Sequence, residues 1–186
     1  MLKREEKQIT EETLRAFLGR TGSDMQNIER ELEKLLCYTM NRPVIRTEDV
    51  EAVCTEQTEN RIFDMVQAIT EQNQRKALDL YSDLLAMKEP PMRILFLITR
   101  QFHQLLQLKG LAAEGLDRGE IAKKAGIPPF ALGKYQAQAK RFTRAQLRQA
   151  VEDCVDTEEQ VKTGRMGDQL GVELLIMKYT EKNSGH

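Results

Sequence analysis

The stretch "MRILFLITRQFHQLLQLKG", residues 92–110, carries Ile94, Leu95, Leu97, Ile98, Phe102, Leu105 and Leu106. These positions spread around much of a helix's circumference, the pattern of a helix with neighbours on several sides. It reads as the central helix of a domain. The preceding "EPP" (89–91) ends one element and puts Pro91 at the start of the next, where its missing N–H is harmless. Upstream, Ala77, Leu80, Tyr81, Leu84 and Leu85 line one helix, and Ile62, Phe63, Val66 and Ile69 line another. Downstream of Gly110–Gly119 come a short helix "EIAKKAGI" (120–127) and then "PPFALGKYQAQAKRF" (128–142). Two longer helices follow, from Thr143 to about Gln160 and from about Met166 to Thr180.

The amino-terminal part is helical in a different way. Thr10 followed by Glu11 and Glu12 starts a helix with Leu14, Phe17 and Leu18, ending near Gly19. In "GSDMQNIERELEKLL" (22–36), Ser23 and Asp24 suit a helix start, and Met25, Ile28, Leu32, Leu35 and Leu36 form one apolar stripe. That helix should stop before "NRP" (41–43), because the residue before proline avoids helical geometry. "VIRTEDVEAVC" (44–54) gives a short extended approach and a helix capped by Thr47, with Val50, Val53 and Cys54 inward. The polar "TEQTEN" (55–60) is the candidate boundary. No strand alternation stands out. The expected fold is all-α: a three-helix bundle over residues 1–56 and a larger helical domain over 57–186.

Composition narrows the function. The chain has 186 residues, 40% of them apolar, with 11 Gly and five Pro, and a formal net charge of −1. A general nucleic-acid-binding domain would be more basic. No apolar run approaches the roughly 18 residues of a membrane span, and "MLKREEKQIT" has no signal-peptide core. The expected address is the cytoplasm, with no membrane contact. Cys37, Cys54 and Cys154 lack metal-site or disulfide-framework spacing. His103 has no ligand partner near it and reads as a packed or surface residue; His186 ends the chain. No phosphate loop, GxSxG elbow or HExxH pair occurs. Asp153/Asp156 and Glu158/Glu159 read as solvated helix faces. No catalytic residue, metal ligand or cofactor is expected.

Two stretches invite a binding role. From Arg118 to Arg148 there are eight basic residues and one acid, Glu120, with Tyr135 and Phe142 interleaved. The cadence over 118–148 fits a helix-turn-helix DNA reader. Against it, the amino end of the second helix is "PPFALG", where Phe130 and Leu132 suit packing better than base-edge contact. Lys134, Lys140, Arg141, Arg144 and Arg148 then make a candidate electrostatic surface, three of them recurring every four positions. The second stretch is the last helix. Met166, Leu170, Leu174, Leu175 and Met177, with Ile176 and Tyr179, cover more circumference than one buried stripe needs. Met166, Leu170, Leu174 and Met177 are the candidate partner interface.

Three segments, in order, resemble one family. The first is "GSDMQNIERELEKL" followed by "VIRTEDVEAV"; the second is "IFDMVQAI" with "ALDLYSDLLAMKEPPMRILFLITRQFHQLL". The third is "IAKKAGIPPFALGKYQAQAKRFT" with "VKTGRMGDQLGVELLIMKY", including the Lys162-Thr163-Gly164 turn. Together they resemble the delta subunit of the bacterial DNA polymerase III clamp loader. The resemblance implies a partial AAA+ lid over 1–56 and a collar over 57–186. It also implies a non-ATPase subunit of a holoenzyme with DNA-directed DNA polymerase (nucleotidyltransferase) activity. In ATP-hydrolysing relatives the lid helix beginning Gly-x-Asp-Met carries a sensor arginine after the Met; here that position is Gln26, which cannot pair with phosphate as arginine does. The implied partners are other clamp-loader subunits through the collar, and DNA indirectly or weakly. The sliding clamp would be reached only through an amino-terminal AAA+-like domain, which the resemblance implies is absent from this chain. "MLKREEKQIT" resembles the end of a lid helix, so the chain is expected to be a fragment.

Overall fold

The computed structural model describes residues 7–22, 24–55, 58–112, 114 and 116–181. Two compact units emerge, one up to Asn60 and one from Arg61 onward. The described residues contain ten helices and one pair of two-residue strands.

The first unit holds α1 (Glu11–Thr21), α2 (Met25–Tyr38) and α3 (Thr47–Val53). The Thr10 hydroxyl accepts the Thr13 N–H at 3.1 Å and starts α1. The helix runs past Gly19 to Thr21, whose hydroxyl returns to the Phe17 carbonyl at 3.0 Å. Gly22, at φ 74°, ends it in a backbone conformation that glycine adopts without strain. The Asp24 carboxylate caps α2 by accepting the N–H groups of Gln26 and Asn27; the proposed Ser23 cap lies outside the described residues.

Inside α2 the fully inward row is Asn27, Glu31 and Leu35, continued by Thr39, with Ile28, Leu32 and Leu36 alongside. Met25 is not in the core, as the stripe implied, but 66% exposed. It sits two residues before Asn27, about 200° around the helix from the inward row. The buried polar members are satisfied: Asn27 donates to the Thr21 carbonyl at 2.9 Å, and Glu31 accepts from the Thr55 N–H at 3.0 Å.

α3 begins at Thr47, which is therefore its first residue and not its cap. Its hydroxyl pairs with that of Thr13 at 3.1 Å, while the Asp49 carboxylate reaches back to the Arg46 N–H at 2.9 Å. Val50 and Cys54 are buried and Val53 is half-buried. Residues 7–10 are not helical; the rest of "MLKREEKQIT", proposed as a helix end, lies outside the described residues. β1 (Gln8–Ile9) pairs in parallel with β2 (Val44–Ile45), Ile9 opposite Ile45. Two residues per strand are too few for alternation to show in a sequence. Lys7 reinforces the pairing, its ammonium donating to the carbonyls of Thr39 and Arg42 at 2.6 Å just beyond α2.

α4 (Thr58–Thr70) leads into the second unit, which continues with α5 (Gln74–Ala86), α6 (Pro91–Leu111), α7 (Arg118–Ala125), α8 (Leu132–Lys140), α9 (Arg144–Lys162) and α10 (Asp168–Thr180). Ile94, Leu95, Leu97, Ile98, Phe102 and Leu105 of α6 are buried, making this helix the centre of the unit. Ile62, Val66 and Ile69 of α4, and Ala77, Tyr81 and Leu84 of α5, join the same core. Phe63 stacks obliquely on Tyr135, ring centroids 5.1 Å apart. A smaller core of Leu108, Ile121, Ala122, Ala125, Ile127 and Leu132 lies around α7 and the start of α8.

Buried glutamines stitch these layers together. Gln101 donates to Gln138 at 2.7 Å, Gln138 to the Phe63 carbonyl at 3.2 Å, and Gln104 to the Gly126 carbonyl at 3.0 Å. α9 opens with a reciprocal cap between Thr143 and Gln146. It closes at Gly164, φ 71°, where the Arg165 N–H returns to the Gln160 carbonyl at 2.9 Å. This turn sends α10 back along α9, so the two form an antiparallel hairpin.

Candidate interaction surfaces

α10 starts at Asp168, leaving Met166 half-buried in the turn before it. Val172, Leu175 and Ile176 enter the core, and Tyr179 packs against Phe102 at 5.8 Å between ring centroids. Leu170, Leu174 and Met177 face outward, 51%, 44% and 38% exposed. Their spacing of four and three residues puts them on one face. Leu175, counted in the surplus from sequence, belongs to the opposite, buried face.

The hairpin is close-packed at Gly171. A Cβ there would lie 3.0 Å from Cγ2 of Thr157, 3.2 Å from Sδ of Met166 and 3.3 Å from Cγ2 of Val161. Farther along, the Asp153 carboxylate accepts hydrogen bonds from Lys178 Nζ at 2.6 Å, from Gln149 Nε2 at 3.1 Å and from the Tyr179 hydroxyl. Its side chain is only 12% exposed, so Asp153 is not the solvated residue that its charged surroundings suggested. Burial pushes the carboxyl up, but the bonds from Lys178, Tyr179 and Gln149 and the Lys178 charge outweigh it and hold it below the usual carboxylate range. Burial and the hydrogen bond to that same carboxylate keep the Tyr179 phenol protonated far above its ordinary value. Sequence reasoning missed this cluster because Lys178 and Tyr179 meet Asp153 only once the hairpin has formed. A groove of about 280 Å³ runs beside it, with Asp156, Gln160, Met166 and Leu174 on its walls.

Lys134, Lys140, Arg141, Arg144 and Arg148 are all exposed, and none forms an ion pair among the described residues. Lys140 closes α8 and Arg144 opens α9, so the four-residue recurrence is not one helical stripe; of its three members only Arg144 and Arg148 share a helix. The turn between them is anchored by Phe142, edge-on to Phe102 at 5.9 Å. Leu132 is buried, as its apolar character requires, whereas Phe130 is exposed. α7, a turn and α8 do follow one another. The outward face of α8 nevertheless offers Gly133, Lys134, Ala137 and Lys140, a poor set of base-edge readers.

Gln26 lies exposed in the first turn of α2, its N–H held by Asp24 at 2.8 Å. His103 is exposed on α6; His186 lies outside the described residues. Among the described residues no group of three His, Cys, Asp or Glu is placed to hold a metal ion, and no helix is long and apolar enough to cross a membrane. Cys37 is exposed; Cys54 and Cys154 are buried, and burial pushes their thiols up to about 11 and about 12.

Comparison with known proteins gives this arrangement a family. Residues 59–179 match the family described as DNA polymerase III delta subunit, C-terminal domain. The Bacillus subtilis DNA polymerase III subunit delta is 29% identical over 189 residues, covering 100% of this chain and 54% of the relative. An Aquifex aeolicus protein named "Probable DNA polymerase III subunit delta" is 25% identical over 145 residues, 77% of this chain and 41% of the relative. The solved structure of a Bacillus subtilis DNA clamp loader delta protein superposes with a TM-score of 0.88 at 28% identity, covering 97% of this chain and 53% of that one. The chain thus spans about half the length of the curated relatives it matches. With its all-α architecture and its matched region running from α4 to α10, the chain belongs to the DNA polymerase III delta subunit, C-terminal domain family.

Proposed function

We propose that this chain serves as the lid and collar part of a clamp-loader delta subunit, assembling with other loader subunits so that a sliding clamp can be placed on DNA during replication in the cytoplasm. In this reading residues 1–56 are a lid-type bundle and 57–186 a collar. The part it plays is association, with no catalytic step of its own, inside a holoenzyme that polymerises DNA. The observation that carries the reading is the outward apolar stripe Leu170, Leu174 and Met177, on a helix inside the family-matched region. A stripe with that exposure, next to a filled core, is what a partner helix covers; a methionine in it suits an adaptable contact.

The test is co-purification. The chain is expected to bring down the other loader subunits and leave the sliding clamp behind. Leu170→Glu, Leu174→Glu and Met177→Glu should abolish that capture with helix content and melting temperature nearly unchanged. Capture of the clamp without the loader subunits would overturn the assignment.

A second reading concerns the exposed cations Lys134, Lys140, Arg141, Arg144 and Arg148, which form no ion pair among the described residues. They support weak, sequence-independent contact with the DNA backbone. Duplex affinity should then fall steeply with salt. Selection of one preferred site from a random library would favour the helix-turn-helix alternative over 118–148 instead.

A further inference from the structure

α9 divides its charge unevenly along its length. A helix favours acids in its first turn and bases in its last. α9 has no acid in its first turn, opens with Arg144 and Arg148, and carries Glu152, Asp153, Asp156, Glu158 and Glu159 from its middle onward, ending on Lys162. Asp153 and Glu158 are engaged locally, by Lys178 with Tyr179 and by Lys162. Glu152, Asp156 and Glu159 are exposed and form no ion pair among the described residues. They recur at spacings of four and three, so they share a face.

Leu170, Leu174 and Met177 repeat the same spacing on α10. α10 returns along α9, with Gly171 beside Thr157 and Lys178 at Asp153, and Asp156 and Leu174 border one groove. An acidic rail and an apolar rail therefore run side by side on the hairpin. The apolar rail alone would accept any amphipathic helix. The acidic rail selects among them, because like charges brought together on docking are repelled and opposite charges are steered in.

We propose that these two rails dock an amphipathic helix of a neighbouring loader subunit, one that bears Lys or Arg along a single flank of its apolar face. Its apolar residues sit on Leu170, Leu174 and Met177, and its cations face Glu152, Asp156 and Glu159. This rests on the collar reading above and names the chemistry of the partner that collar accepts.

The test places a photo-crosslinking amino acid at Asp156 of the whole chain, mixed with the other purified loader subunits, and sequences the captured peptide. The expected product is a helical segment of a loader subunit with Lys or Arg within one turn of the captured residue. In parallel, the double variant Asp156→Lys/Glu159→Lys should weaken association at least tenfold without lowering the melting temperature. Changing the captured base to Glu should restore the affinity of that double variant to within threefold of the original pair. Four results overturn the proposal: capture of a segment without a base, capture of a second copy of this chain, no capture while association persists, or unchanged affinity in the double variant. If the unaltered chain does not associate with any loader subunit, the collar reading itself falls and takes this proposal with it.

Discussion

Replacing Asp153 by Ala removes the acceptor for three donors at once. Lys178 is well exposed, so its ion pair contributes only about 0.5–1 kcal/mol despite the 2.6 Å separation. Gln149 is also exposed and adds little. The hydroxyl of half-buried Tyr179 is different, because a hydrogen bond to a charged group contributes about 1.5–3 kcal/mol. Asp153→Ala should therefore destabilise the chain by roughly 2–3 kcal/mol at pH 7, and Tyr179→Phe by roughly 1.5–2 kcal/mol. The double variant should cost little more than Asp153→Ala alone, since both changes remove the same bond.

The pH dependence follows from the direction of the shift. The folded carboxyl titrates below the unfolded value of about 3.9, so its contribution is fully present above that value and is lost as pH falls through the lower folded pKa. Urea unfolding of the parent and of Asp153→Ala, repeated from pH 7 to pH 3, should show a gap that is constant down to about pH 4 and narrows below it. A gap under about 1 kcal/mol at pH 7, or one that does not narrow in acid, would refute the reasoning.

Gln138→Leu should destabilise by about 1–3 kcal/mol because it strands the buried Gln101 amide; adding Gln101→Leu should recover part of that loss, as seen in a denaturant midpoint cycle. At pH 8 a thiol reagent should titrate Cys37 in the native chain, while Cys54 and Cys154, pushed up to about 11 and about 12, react only after unfolding. Calorimetry with ATP should show no micromolar binding, a level that would need about −8 kcal/mol; such binding would contradict the reading of Gln26 and the absence of a phosphate loop.

What could be read in the sequence was local. Pro91 at the start of α6, the helix starts at Thr10, Asp24 and Thr143, and the dense apolar pattern of 92–110 each depend on residues within one or two turns. What could not be read depends on where a second element arrives. Met25 looked apolar enough for the core, but the inward row of α2 is set by α1 and α3 and passes through Asn27 and Glu31 instead. Gly19 looked like a helix end, yet the helix continues until Gly22 takes a positive φ. On α10 the apolar surplus was visible, while its division into buried Leu175 and Ile176 and exposed Leu170 and Leu174 required the position of α9. Phe130 shows the same limit in reverse, an aromatic residue left outside the small core that its neighbour Leu132 joins.

That small core has a dynamic consequence. Leu108, Ile121, Ala122, Ala125, Ile127 and Leu132 form a cluster separate from the main one, tied to α6 by Leu108 and by the Gln104 amide on the Gly126 carbonyl. Losing this cluster sacrifices six side chains' burial, while the larger cluster, built on α4, α5, α6, α9 and α10 with Ala139 of α8, loses only what it shares through Tyr135. Native-state hydrogen exchange should therefore find α7 and the turn after it opening as one cooperative unit, at a free energy below that of global unfolding. The hairpin of α9 and α10 stays closed through such an event. Arg118, Lys123 and Lys124 on α7 can thus move while the assembly surface, with Arg144 and Arg148 on α9, keeps its shape.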